Sequence, residues 1–309
     1  MSGGNRSGKV LKAIRGHYWV ETPEGLYHCY ARESLTKRLK TANPIVVGDE
    51  VTVEVVDEVK REGVITDLHP RRTKLSRKVS TGTRESEQVV AANIDNLIIV
   101  SSVTDPPFRP GLIDRYLVAA AKGGLNPIIC VNKVDLEGLE ELRDVLQMYR
   151  ALGYPVILTS AKTGQGIDEL REQLRDKTSV FAGHSGVGKS SLLRVLVPGI
   201  QVKVGEVNPR TGRGRHTTTA AELVRLPEGG YVIDTPGIRQ FSLWDLTEED
   251  VRRFFVEIAR YGAGCRFADC SHTVEPECAV RAAVEEGRIH PRRYESFFRL
   301  LEEARGEAE

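Results

Sequence analysis

Apolar and polar residues alternate with a period of two along the first 70 or so positions, and then the period changes. Short β-branched or aromatic runs at 9–13, 18–21, 25–31, 50–56 and 63–68 are separated by turn signals such as Thr22-Pro23-Glu24-Gly25 and Val47-Gly48-Asp49. This spacing predicts five short strands in a small barrel of the OB or SH3-like kind. A meander docked on the next domain is the plainer alternative. From about residue 92, apolar strand-length runs at 97–103, 127–131, 156–159, 180–183, 222–226 and 231–234 recur. Helical patterns lie between several of them, at 111–122, 139–152, 167–174 and 189–196. Strand and helix in alternation predict a mostly parallel sheet covered by helices. The last 65 or so positions carry helical patterns only, at 247–261, 277–286 and 291–304. The expected domains are 1–75, 76–243 and 244–309.

Between barrel and sheet, residues 70–84 hold Arg71, Arg72, Lys74, Arg77, Lys78 and Arg84 and no acid. They read as a basic linker, either touching a phosphate backbone or simply solvated. At 40% hydrophobic and 28% charged, the chain has an ordinary soluble composition. Its formal net charge is +1, so nucleic acid would have to be met by local patches. No apolar run approaches the roughly 20 residues that span a bilayer, and 1–8 is polar and Gly-rich. The expectation is a cytoplasmic protein with no membrane partner.

The strand ends carry the chemistry. Gly183-His184-Ser185-Gly186-Val187-Gly188-Lys189-Ser190, followed by Ser191, fits a phosphate loop between a strand and a helix. Its backbone N–H groups would face a β-phosphate. Lys189 would reach the β- and γ-oxygens, and Ser190 would ligate magnesium. Asp234-Thr235-Pro236-Gly237 follows another strand. Asp234 would hold magnesium through water, and the Gly237 N–H would sense the γ-phosphate. Asn132-Lys133-Val134-Asp135 ends the 127–131 strand. Asp135 would accept the N1–H and N2–H donors of guanine, which adenine lacks. Asn132 would tie this loop to the phosphate loop, and Lys133 would cover the base. In Ser160-Ala161-Lys162 the Ala161 N–H would donate to guanine O6. Each tetrapeptide alone could be a surface turn, whereas all four at strand ends point to a guanine-nucleotide site.

An ordinary small GTPase begins with its phosphate loop, but here the base-reading motifs come first. A site built from loops at strand C-termini depends on where the strands lie, not on how they are threaded. The order therefore predicts a circular permutation.

The aperiodic Gly- and Arg-rich stretch 209–219 is the expected switch I, with Thr218 favoured as its magnesium ligand. Ile238 stands where Ras-like enzymes place a water-orienting Gln. His216 is the candidate to position water instead, its alternative being an RNA-phosphate contact.

The chain has five cysteines, Cys29, Cys130, Cys265, Cys270 and Cys278, an odd count that argues against a disulfide framework. Cys265-x4-Cys270-x-His272-x5-Cys278 supplies four N/S ligands, enough for a closed, structural zinc shell. Scattered core cysteines are the alternative, and that is how Cys29 and Cys130 read. Arg266, Arg281, Arg288, Arg292, Arg293 and Arg299 around the cluster suggest a nucleic-acid face.

A small barrel, a permuted G domain and a Cys-x4-Cys-x-His-x5-Cys module, in this order, resemble the RsgA (YjeQ) family of bacterial GTPases. The resemblance covers nearly the whole chain, and Gly214-Arg215-His216-Thr217-Thr218 matches the family's switch I motif. His184 stands where the family often has Gln. The resemblance implies an N-terminal OB fold, a permuted G domain and a zinc-containing helical domain. It implies one structural zinc ion, and magnesium with GTP or GDP. It also implies a monomer that binds the small ribosomal subunit and its rRNA late in maturation. Hydrolysis stimulated by that subunit would drive release of the protein itself or of another factor. An RNA-binding module switched by GTP, with incidental hydrolysis, is the alternative. Cys265 lies only 28 positions after Gly237, so the helical module is expected to hang on the γ-phosphate-sensing segment and to turn with nucleotide state.

Overall fold

The computed structural model describes residues 4–35, 44–81, 84–200, 221–234 and 246–306, without the side chains of 76–87 and of Asp234. Strands β1 (Asn5–Ile14), β2 (His17–Thr22), β3 (Gly25–Ala31), β4 (Glu50–Asp57) and β5 (Glu62–Leu68) form the ring β1-β2-β3-β5-β4, closed by pairing of β4 with β1. All its ladders are antiparallel except β3 with β5. The alternation is the cause. Along β2, Tyr18, Val20 and Thr22 point inward while His17, Trp19 and Glu21 point outward. Val10, Tyr27, Val51, Val53 and Ile65 complete the barrel core.

The basic stretch is not a linker. Lys74–Thr81 is strand β6, and it pairs antiparallel with β7 (Arg84–Ala92) as a separate two-stranded ribbon. The register sets Lys78 opposite Glu87 and Ser80 opposite Glu85, so the partner strand brings the acids that the stretch itself lacks. Arg71 forms a fork with the buried Asp49 carboxylate, at 2.7 and 2.8 Å. The Arg72 N–H donates to Asn93 Oδ1 at 2.9 Å.

Among the described residues the G domain is a six-stranded sheet in the order β10-β9-β8-β11-β13-β12. Its strands are β8 (Asn96–Ser102), β9 (Asn126–Asn132), β10 (Val156–Leu158), β11 (Thr178–Ala182), β12 (Glu222–Arg225) and β13 (Tyr231–Asp234). Of these six described strands only β12 runs antiparallel to its neighbour β13. Helices α1 (Pro110–Gly123) and α2 (Arg143–Ala151) cover one face over Ile99, Ile129 and Val131. A 3-10 turn, Glu140–Leu142, precedes α2. Helices α3 (Ile167–Leu174) and α4 (Lys189–Leu196) cover the other face over Ile98, Val100 and Phe181. Cys29 and Cys130 are buried in strands, and burial pushes both thiols up to about 12.

The C-terminal helices are α5 (Glu248–Phe254), α6 (Val256–Gly262), α7 (Ala279–Glu285) and α8 (Pro291–Arg305). The helical pattern at 247–261 breaks at Phe255, whose ψ of 85° is not helical. Phe255 is fully buried against Phe297, and the break turns the buried Glu257 toward α8. Thr247 opens α5 with a reciprocal capping box to Asp250.

The G domain meets its neighbours by two different junctions. At one edge of its sheet β12 pairs with β1, Glu222 opposite Lys12, so barrel and G-domain strands form one sheet. On the α1/α2 face, Arg293 of α8 reaches Asp114 of α1 at 2.6 Å and Glu257 of α6 at 2.5 and 2.9 Å. All three side chains are at most 5% exposed. Although burial alone would lower it, the Arg293 pKa is raised above its ordinary value by Asp114 and Glu257. Tyr149 of α2 donates its hydroxyl to Asp114 at 2.7 Å. Arg293 therefore belongs to no nucleic-acid face.

Candidate nucleotide site and metal centre

The parallel strands β8, β9, β10, β11 and β13 all present their C-terminal ends at one edge of the sheet, and the loops leaving four of these ends are described there. Residues 183–188 connect β11 to α4 with positive φ at Gly183, Gly186 and Gly188. Two of these glycines are required by close approach. A Cβ at Gly183 would lie 2.1 Å from the Val100 carbonyl oxygen, and one at Gly188 would lie 2.2 Å from Asn132 Nδ2. Lys189 Nζ donates to the carbonyls of Gly183 and His184, at 2.6 and 2.7 Å. Ser190 follows in the first turn of α4, so loop, helix N-terminus and ammonium converge on one point. Such a point attracts polyphosphate.

Asn132 joins three loops. Its amide donates to the Val187 carbonyl at 2.9 Å, and its oxygen accepts from the Ala161 N–H at 3.1 Å. Ser160 Oγ donates to Asp135 at 2.6 Å, which with Lys162 nearby holds the Asp135 carboxyl below the usual carboxylate range. Asp135 is therefore an ionised acceptor at neutral pH. A cleft of about 380 Å³ opens between Asn132, Lys133, Asp135, Ala161, Lys162 and Gly188, with Ser191 at its edge. That volume suits a purine nucleoside.

One wall of this region escaped the sequence reading. After β8, the loop at 103–109 brings Pro106 Cδ to within reach of a Cβ at Gly186 (3.4 Å), and Lys133 Nζ donates to the Asp105 carbonyl. Ser102 Oγ donates to the Pro106 carbonyl at 2.8 Å. The available signal was positional: Asp105-Pro106-Pro107 is a turn leaving a strand at the same sheet edge.

His216, Thr218 and Gly237 lie outside the described residues, as does the Asp234 side chain. The Asp234 backbone ends β13 beside β11, at the phosphate-loop edge.

In the helical domain, the ligand atoms of Cys265, Cys270, His272 and Cys278 all lie within 4.8 Å of one another. Cys265 Sγ is 3.9 Å from Cys278 Sγ, and both are 3.6 Å from His272 Nδ1. Tetrahedral zinc with its usual bond lengths implies edges of about 3.8 Å for S···S and about 3.5 Å for S···N. The donor set fits one such ion, bound through Nδ1. Tyr294 donates to the His272 carbonyl at 2.6 Å and fixes that loop. Among the described residues, no helix is long and apolar enough to cross a membrane.

Comparison with known proteins agrees with this architecture. The family model for the RsgA GTPase matches residues 68–244, and that for the RsgA N-terminal domain matches residues 7–65. The small ribosomal subunit biogenesis GTPase RsgA of Chlorobaculum tepidum is 45% identical over 302 residues, spanning 96% of this chain and 97% of its own. The crystal structure of YjeQ from Thermotoga maritima superposes with a TM-score of 0.81 at 36% identity, covering 99% of this chain and 100% of that one. YloQ, described as a circularly permuted GTPase, gives a TM-score of 0.76 at 29% identity, covering 99% and 97%.

Proposed function

The chain belongs to the RsgA GTPase family and hydrolyses GTP, and from that premise we propose that it acts on the small ribosomal subunit late in maturation. One observation carries the nucleotide part of this reading: Asn132 hydrogen-bonds at once to the phosphate loop and to the Ser160-Ala161-Lys162 loop. Asp135 accepts the guanine N1–H and N2–H, and the Ala161 N–H, which donates to Asn132 Oδ1 in the structure, is shared with O6 when the base binds. Charge-assisted hydrogen bonds contribute about 1.5–3 kcal/mol each, and adenine forfeits them. The stem of Lys133 covers the base. Gly183 to Ser191 wrap the phosphates, Lys189 neutralises the β- and γ-oxygens, and Ser190, Thr218 and Asp234 hold magnesium directly or through water. Gly237 senses the γ-phosphate, and His216 positions water in place of the Gln that Ile238 replaces. The Cys3His cluster holds one structural zinc ion.

The curated relative's name supplies the partner, a small ribosomal subunit in biogenesis. On this chain the partner is the subunit and its rRNA, met in the cytoplasm by a monomer. The subunit stimulates hydrolysis, and hydrolysis drives release.

GTP turnover measured with small subunits, with large subunits and alone tests this reading. Acceleration by small subunits only, with retention in a non-hydrolysable analogue and loss in GDP, is the expected result. Unchanged turnover with equal retention in both nucleotides overturns it. In the same assay His216→Ala lowers single-turnover hydrolysis while leaving GTP affinity nearly unchanged, and equal rates remove His216 from the mechanism. Asp135→Asn loses GTP affinity and gains affinity for xanthosine triphosphate, whose C2 carbonyl accepts from the new amide. Unaltered GTP affinity would remove Asp135 from base recognition.

A further inference from the structure

A cleft of about 580 Å³ opens between the G domain and the helical domain, larger than the one of about 380 Å³ at the base-reading loops. One wall is α2 with the following Leu152, and the other is α6 with the loop from α7 to α8. The buried Met148 and Ile289 and the half-buried Leu152 give it an apolar lining. Its cations gather at Tyr261, where the Arg288 and Arg260 guanidinium carbons lie 5.1 and 5.8 Å from the ring centre. The acids beside them are already used. Glu257 gives both carboxylate oxygens to Arg293. Asp144 accepts from His290 Nε2 at 3.0 Å, and that nitrogen carries the proton because Nδ1 accepts the Arg292 N–H. Arg288 pairs with Glu286, but both are at least 50% exposed and water screens the contact. Among the described residues, no ion pair holds Arg260.

We propose that this cleft binds a small organic phosphate with a flat apolar body, of the nucleoside phosphate class, at a site separate from the GTP site. Guanidinium forks match phosphate oxygens and hold them bidentately, so Arg260 and Arg288 take the phosphate. The flat body lies over Met148, Leu152 and Ile289. The volume is that of a small-molecule site, and such sites favour domain boundaries. The α2 wall runs from Asp144 to Ala151, about 10 Å at the helical rise, which is room for one such ligand and not for a polymer. A ligand that touches both walls binds the closed junction better than the open one, and so stabilises the helical domain on the G domain.

The test is a fluorescence titration of methylanthraniloyl-ADP into the full chain saturated with GDP and magnesium. GDP fills the guanine site and adenine lacks the donors that Asp135 takes, so saturable binding reports a second site. One such site is expected, from which unlabelled ADP displaces the probe. Arg260→Gln and Arg288→Gln, both at exposed positions, should each weaken it by at least about tenfold, with GTP turnover unchanged as a check on folding. Inorganic pyrophosphate and adenosine should each compete less well than ADP, because each fills only part of the cleft. No saturable binding overturns the proposal, and so does binding that both variants leave intact. Pyrophosphate competing as well as ADP overturns it too, because the cleft is then a bare anion site with no use for a flat body.

Discussion

The two neighbours of the G domain are held in opposite ways. The barrel joins through a strand edge with two exposed ion pairs, Lys12 to Glu222 at 2.8 Å and Arg225 to Glu21 at 3.3 Å, and with the uncharged Leu11 and Val47 packed against the G-domain core. The helical domain joins through Arg293, Asp114 and Glu257, which are almost wholly desolvated. Water can replace the exposed ion pairs. It cannot reach the buried ones while the junction is closed, so losing one partner there leaves a charge buried and uncompensated. The helical domain, expected to turn with nucleotide state, is thus also held on the α1/α2 face of the G domain. A nucleotide signal reaching it must pass through the G domain's helical face as well as along the chain.

The largest effect that can break this comparison is metal removal. Structural zinc contributes on the order of 10–16 kcal/mol of apparent binding free energy in small domains. Chelation should unfold α5 to α8, seen as a loss of helical circular dichroism, while the barrel and sheet keep their signal. Undiminished helicity would mean that the junction alone holds the domain. Next is Arg293→Met, which leaves two buried carboxylates facing each other. Removing one partner of a buried pair costs about 3–5 kcal/mol, read as the shift in denaturant midpoint. A midpoint like that of the unaltered chain would erase the contrast.

Acid should act on the same junction by a smaller amount. Burial alone would raise the Asp250 carboxyl, but hydrogen bonds from Lys122 and Thr247 hold it below its usual value. A carboxyl depressed on folding adds stability that is complete above its unfolded pKa of about 3.9. That stability is lost as pH falls through the lower folded value. Asp250→Asn should therefore be less stable than the unaltered chain at pH 7 and converge with it in strong acid; parallel melting curves at all pH would refute the assignment. The smallest effect is Lys12→Ala at the barrel edge, at most about 1 kcal/mol by thermal unfolding and weaker still in high salt. A loss as large as that of Arg293→Met would invert the comparison.

Much of the molecule is legible in its sequence for local reasons. Alternation in 17–22 dictates β2, and the phosphate-loop glycines and the Cys-x4-Cys-x-His-x5-Cys spacing are chemical signatures read without a fold. The misses are long-range. β6 has no apolar alternation to announce it, and its pairing is supplied by β7. The break at Phe255 depends on α8, more than 30 residues later. Arg293 and Asp114 are 179 residues apart and look like ordinary surface charges by type. One clue was present. Arg293 lies on the same helical stripe as Phe297, Leu300 and Leu301, where a lone charge has to find a buried partner.

The join between β1 and β12 also bears on the order of assembly. All five barrel strands are made by residue 68, so the barrel can close early in synthesis. The outer edge at Lys12 meets Glu222 only after another 210 positions have been translated. Contacts of such sequence separation form slowly and late. The nascent barrel must spend about half of the chain's synthesis with that short edge uncovered, and its charged Lys12 discourages mispairing during the wait.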